Sequence, residues 1–179
     1  MIIPKTARYS LDTSALVTAW SRNYPPDVFG PVWDHIDTII HHGVVGASRE
    51  VLTELEKPDD DLYRWCKVRE DNLFIDLMEE LQDAVTALVA KYPKLVATGR
   101  NKADPFVIAL ATLAKPTPLI IVTEEGPLSG SAKRPNIPSI CSNEGLTSQP
   151  PSRFSVIPPS NFVEERMYAG KINPIRASK

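Results

Sequence analysis

Apolar residues recur along the chain in two alternating rhythms. Short runs of strand length are Tyr9-Ser10-Leu11-Asp12, Val44-Val45-Gly46-Ala47, Leu73-Phe74-Ile75 and Leu119-Ile120-Ile121-Val122. The second and third of these read equally as extended links. Between them, apolar side chains return every three or four residues, the period of a helix. One helical stretch opens at Thr13-Ser14, runs through Ala15 to Trp20, and is broken by Tyr24-Pro25-Pro26-Asp27. Another starts at Asp27 or Pro31 and carries Val32, Ile36, Ile39 and Ile40 on one face. His41-His42-Gly43 ends it, with cationic side chains in the last turn and Gly at C′.

Ser48 is the N-cap expected for the next helix, with Glu50 near the positive end of its dipole and Lys57-Pro58 as its stop. Asp59, Asp60 or Asp61 caps the helix that follows, through Trp65 and Cys66. Leu77, Leu81, Val85, Leu88 and Tyr92 form the stripe of an amphipathic helix. Residues 98–101 are a loop. Ala103 to Ala114 is helical and nearly all apolar, so it is a buried helix. Leu119 to Val122 is apolar without alternation, as for a strand covered on both faces. Residues 126–139 form a Gly/Ser/Pro-rich loop, Phe154 to Ile157 a last strand, and Pro159 to Met167 a last helix.

Strands alternating with helices predict an α/β protein: a three-layer α/β/α sandwich on a short, mostly parallel sheet. With 179 residues and 42% hydrophobic content, one domain over residues 1–167 is expected, with a weakly structured, slightly basic tail at 168–179. No apolar run reaches membrane-spanning length and no secretory leader is evident, so a cytoplasmic protein is expected. The two cysteines, Cys66 and Cys141, are far apart and match no metal spacing, as for reduced intracellular thiols. Net charge is −2, which supplies no global field for nucleic acid. Binding to RNA would require a local basic patch or bound cations.

In parallel sheets, sites form at the carboxyl ends of strands. Asp12 follows the first strand, and Glu124 and Glu125 follow the strand ending at Val122. Asp104 opens the buried helix, and Glu54 or Glu56 lies at the border of the Val51/Leu52/Leu55 stripe. Each has a structural explanation when taken alone. Asp12 before Thr13-Ser14 is a helix N-cap, and Asp104-Pro105 is a capping pattern with Pro at N1. Together, carboxylates converging on one end of a sheet repel one another, and divalent cations offset that cost. Hard oxygen donors suit Mg²⁺ or Mn²⁺, which assist phosphodiester hydrolysis. No Cys or His cluster competes, and His35, His41 and His42 receive no chemical role. Trp20, Trp33 and Trp65 fall at helical apolar positions and read as core or interface.

Ser10-Leu11-Asp12-Thr13-Ser14-Ala15-Leu16 resembles the opening strand and acid of PIN-domain nucleases. Val51-Leu52-Thr53-Glu54-Leu55 resembles their second motif and Asp104-Pro105-Phe106-Val107-Ile108-Ala109-Leu110-Ala111 their third. Ile121-Val122-Thr123-Glu124-Glu125 resembles the segment that carries their fourth polar position. Tyr24-Pro25-Pro26-Asp27-Val28-Phe29 with Trp33-Asp34, and Lys133-Arg134-Pro135-Asn136-Ile137-Pro138 with Cys141, are similar to an uncharacterised prokaryotic PIN subfamily near the VapC-type toxins.

The resemblance covers roughly residues 8–165. It favours Glu54 over Glu56. It departs from the toxins in having an acid pair at 124–125, of which Glu125 is the better match. It implies a Mg²⁺- or Mn²⁺-dependent endoribonuclease. Asp12 and Asp104 would hold the principal cation, with Glu54 and Glu125 completing the site directly or through water. Ser14 or Thr123 would support a ligand through its hydroxyl, although Ser14 serves equally as a helix-cap residue. Arg100, Lys102, Lys133 and Arg134 are the candidates for RNA phosphate contacts. The resemblance further implies a toxin of a toxin–antitoxin pair, an antitoxin partner that covers the acidic groove, and a homodimer. The competing class is a PIN-fold binding or assembly module without catalysis.

Overall fold

The structure is a computed structural model that describes residues 3–56, 60–96, 102–126 and 135–154. Its centre is β1 (Tyr9–Leu11), flanked by β2 (Val45–Ser48) on one side and β4 (Ile120–Val122) on the other. β3 (Phe74–Ile75) lies outside β2, and β5 (Ser148–Gln149) lies outside β4. Every pairing is parallel; Ser10 stands opposite Gly46 of β2 and Ile121 of β4. Asp12 N–H donates to the Val122 carbonyl at 3.0 Å, so the β1–β4 ladder runs one residue past the strand.

Strand order β3-β2-β1-β4-β5 means the chain winds outward from β1, then returns past it to build the other half. Right-handed crossovers place the helices of the two halves on opposite faces. α1 (Thr13–Thr18), α2 (Gly30–His41), α3 (Arg49–Leu55), α4 (Asp61–Val68) and α5 (Glu70–Leu73) pack against one another in the first half. α6 (Glu79–Lys91), α7 (Asp104–Leu113) and α8 (Ile137–Glu144) do so in the second. The α/β/α sandwich on a parallel sheet is therefore the observed architecture.

The core explains the sheet's short strands. Ala47, Phe74, Ile121 and Val122 are buried on β2, β3 and β4 in one cluster with Val107, Ile108 and Ala111 of α7, while Leu110 of α7 packs with Ile75 of β3. A helix buried around most of its circumference lets strands of three or four residues suffice, since its apolar area replaces what longer strands would bury. Gly43 adopts φ 65° after α2, the left-handed turn that releases the chain into β2.

Several elements differ from the sequence expectations. α2 begins at Gly30, beside the expected start at Pro31 and not at Asp27, because Val28 and Phe29 N–H both bond to the Pro25 carbonyl and close a separate turn. α1 continues into a π-helical turn, Ala19–Asn23. Ser48 occupies the N-cap of α3, yet its hydroxyl makes no capping bond. Of the three caps expected for α4, Asp60 is the one that serves, accepting from Tyr63 N–H. α6 starts at Glu79, and Leu77 is 49% exposed, so the buried stripe begins at Leu81.

Of the expected loop 126–139, residues 127–134 lie outside the described residues and the end belongs to α8, opened by a capping box in which Asn136 and Ser139 exchange hydrogen bonds. Among the described residues the last strand is β5, two half-buried polar residues; a short helix, α9 (Pro151–Phe154), holds Phe154, where a strand was expected to begin, and residues 155–157 lie outside the described residues. An edge strand of Ser and Gln carries no apolar signal, and Pro151 at N1 pre-sets a helix. The expected helix 159–167 and the tail 168–179 lie outside the described residues. Among the described residues, no helix is long and apolar enough to cross a membrane.

Candidate functional site

The winding reverses between β1 and β4, and the crevice beyond their carboxyl ends is where open parallel sheets bind ligands. Asp12 leaves β1 there, and Thr123 leaves β4 beside it. Asp12 is 3% exposed and has extended backbone at the N-cap of α1, but its side chain does not cap the helix. Instead, Asp12 Oδ2 accepts from both Ser14 Oγ and Thr123 Oγ1, the latter at 2.9 Å. Each hydroxyl in turn accepts a backbone N–H from the segment after β4. Glu124 N–H donates to Ser14 Oγ at 3.0 Å and Glu125 N–H to Thr123 Oγ1 at 3.2 Å. The two relays fix both hydroxyl protons toward the carboxylate, and such chains strengthen each member.

Burial pushes the Asp12 carboxyl above the ordinary carboxylate range. The two hydroxyls pull it down, and the negative charge of Glu125 adds to the rise. Glu125, half-buried, accepts Ile137 N–H on Oε2 at 2.9 Å and so reaches the start of α8. Asn136 Nδ2 donates to the Gly126 carbonyl at 2.9 Å, tying the same two segments together. Glu124 is exposed.

Glu54 enters from α3. Its Oε2 accepts from Thr13 Oγ1 at 2.6 Å and its Oε1 from Ala103 N–H at 2.9 Å. Glu56 is exposed and ends its helix, with Tyr63 Oη donating to it at 3.5 Å. Asp104 is 5% exposed and is the first residue inside α7, with Ala103 as N-cap and Pro105 in the second position. The capping pattern expected of Asp104-Pro105 is thus displaced by one residue, because Ala103 N–H is held by Glu54 rather than by a local side chain. The α7 start is pinned to β1 by Ser10 Oγ, which donates to the Val107 carbonyl at 3.3 Å.

The structure therefore joins Asp12, Ser14 and Thr123 directly, links Glu125 to them through Thr123, and connects Glu54 to the residues flanking Asp12 and Asp104. Lys102 is exposed just ahead of Ala103. Arg100, Lys133 and Arg134 lie outside the described residues. The two cysteines are free and buried, away from this chemistry.

The donor set suits a hard divalent cation. A desolvated carboxylate feeling a second negative charge is the situation a cation relieves. Extending the β1–β2 register by two residues puts Asp12 level with Ser48, whose hydroxyl is buried without a partner. Among the described residues, no three His, Cys, Asp or Glu side chains form a ready-made metal cage.

An α/β/α protein with an acidic, hydroxyl-buttressed site at its topological switch point is the class that fold and site define. The chain belongs to the family described as "Domain of unknown function (DUF4411)", whose model matches residues 9–149. No curated protein matches it. Among solved structures it is similar to VapBC2 from Rickettsia felis, crystallised bound to a DNA fragment from their promoter. Identity there is 15% and the TM-score 0.46, over 79% of this chain and 97% of that one. The likeness is too distant to carry function.

Proposed function

We propose that this chain is a Mg²⁺- or Mn²⁺-dependent endoribonuclease of the PIN type, acting as the toxin of a toxin–antitoxin pair. The observation that carries the reading is the buried Asp12 carboxylate, held by two oriented hydroxyls at the switch point of the sheet. A structural N-cap would spend its carboxylate on the N–H of the second or third helical residue; this one makes no such capping bond and is desolvated between the Ser14 and Thr123 hydroxyls. The PIN-like motifs around Asp12, Glu54 and Asp104 support the same reading.

Asp12 and Asp104 would hold the cation, with Glu125 contributing charge or a hydrogen bond to its waters. Bound there, the cation supplies Lewis acidity toward a phosphodiester and its attacking water. The chain's own residues do the rest. Ser14 and Thr123 orient Asp12 so that its second oxygen, Oδ1, is not spent on them. Asp12 and Asp104 are both buried, and a desolvated setting strengthens charge interactions made there. Lys102 would meet RNA phosphate at the rim.

The test is cleavage of a structured RNA by the full chain with Mg²⁺ or Mn²⁺, then with EDTA. Activity that survives EDTA, or survives Asp12→Asn and Asp104→Asn, overturns the nuclease reading. Cation binding without cleavage of any RNA supports a non-catalytic binding module instead. The toxin role predicts growth arrest on expression, relieved by co-expressing the neighbouring gene product, an antitoxin that covers the acidic groove.

A further inference from the structure

We propose that Glu54 is a positioning residue that sets the separation of Asp12 and Asp104, not a cation ligand; its consequence for activity rests on the nuclease reading above. Both of its carboxylate oxygens are already engaged, each by a residue adjacent to one of the acids. Thr13 follows Asp12 and donates to Oε2; Ala103 precedes Asp104 and donates its backbone N–H to Oε1. The sequence separations of 41 and 49 residues mean that this one side chain ties together three elements distant in the chain, α1, α3 and α7.

The Ala103 end is the more telling. Ala103 is fully buried and is the N-cap of α7, so its N–H faces neither water nor a local acceptor. In a capping box, a Glu or Gln three residues into the helix satisfies the N-cap N–H. In α7 that position holds Phe106, which has no acceptor, and Glu54 supplies the function from across the site. Without it a buried donor is orphaned, and the first turn of α7, with Asp104 in it, loses its anchor. At the other end Thr13 is the first residue of α1, so the same carboxylate fixes the turn that presents Asp12.

Glu54→Gln separates the two roles. Gln keeps the shape. Its carbonyl oxygen accepts Ala103 N–H, and its amide N–H donates to Thr13 Oγ1, which then acts as acceptor. A brace survives this exchange, whereas a cation ligand loses its charge. Glu54→Ala removes both bonds, and Thr13→Val removes one while leaving every acid in place.

The experiment measures Mn²⁺ affinity by electron paramagnetic resonance and Ala103 amide exchange by NMR, on the full-length chain and these variants. RNA cleavage kinetics are measured alongside. We expect Glu54→Ala to lose Ala103 protection and to lower kcat about tenfold or more, the scale of lost supporting bonds. Glu54→Gln should restore protection, Mn²⁺ affinity and most of kcat. Thr13→Val should lower kcat more than it raises KM. Glu54→Gln weakening Mn²⁺ as much as Asp12→Asn does would overturn the proposal, as would unchanged Ala103 exchange in Glu54→Ala. A wild-type chain that neither binds Mn²⁺ nor cleaves RNA sinks the nuclease reading alone, and the exchange measurement then decides the brace by itself.

Discussion

Thr123 Oγ1 donates to Asp12 Oδ2 at 2.9 Å across the β1–β4 boundary, 111 residues apart in the chain. This bond joins the two halves of the sheet at the point where the winding reverses. It also gives the acid at the N-cap of α1 a partner at the end of β4. Ser14 makes the same contact from within α1, and the Ser14 and Thr123 hydroxyls lie 3.3 Å apart.

The Thr123 bond should be visible as coupling. Thr123→Val keeps shape and loses the donor, leaving a buried carboxylate short of a partner at a cost of about 1–3 kcal/mol. In an Asp12→Asn background the same substitution should cost less, because no charge is stranded. Urea unfolding at neutral pH across the four-member cycle measures the difference, and additive effects would refute the coupling.

Asp12 should also mark the pH profile of stability. Its folded-state proton affinity is raised above the ordinary carboxylate value, chiefly by burial. The folded state therefore binds the proton more tightly than the unfolded chain. That contribution is fully present below about pH 4, the ordinary range, and is lost as pH rises through the folded-state value. In the absence of divalent cations, Asp12→Asn should be more stable than wild type at pH 8, with the gap closing toward pH 4. Thermal denaturation across that range is the measurement.

A bound cation should reverse that penalty. Mg²⁺ or Mn²⁺ at about 100 times its dissociation constant stabilises the folded state by roughly 2.7 kcal/mol through mass action. Scanning calorimetry should show the midpoint rising with cation concentration in wild type and staying flat in Asp12→Asn. An equal rise in both would place the cation elsewhere.

The thiols should be silent in the folded protein. Burial pushes Cys66 up to about 12 and Cys141 up to about 11, so neither is a thiolate at neutral pH. A chromogenic disulfide reagent should label neither until denaturant is added, and fast labelling of either would contradict their burial.

Trp33 should be the costliest tryptophan. It is buried, donates from Nε1 to the Tyr24 carbonyl at 2.6 Å, and meets Trp20 and Trp65 edge-on. Trp33→Ala should destabilise by about 3–5 kcal/mol. Trp65 is half-buried beneath the Arg69 guanidinium at 4.1 Å, and Trp65→Ala should cost less. Chemical denaturation of both variants ranks them.

The sequence by itself determined the strands β1 and β4, the buried helix α7 and the end of α2 at Gly43. These are local facts: unbroken apolar runs, a Pro inside a first turn, a Gly that accepts positive φ. It also pointed to Asp12, Asp104 and Glu54 through their motifs. The polar edge strand β5 left no periodic trace, and α8 was hidden because Pro and Ser read as loop until Asn136 and Ser139 close a capping box.

Only the tertiary structure decided what the acids touch. Capping and site roles for Asp12 were equally open along the chain, because both need the same acid before the same helix. Bringing β4 beside β1 decided which groups the carboxylate meets, since Thr123 reaches Asp12 only when residues 111 positions apart become strand neighbours. Likewise, nothing near Ala103 in sequence announces that its N–H will be held from α3. Hydrogen bonds between distant segments depend on the packing that assembles them, and the packing is a property of the whole fold.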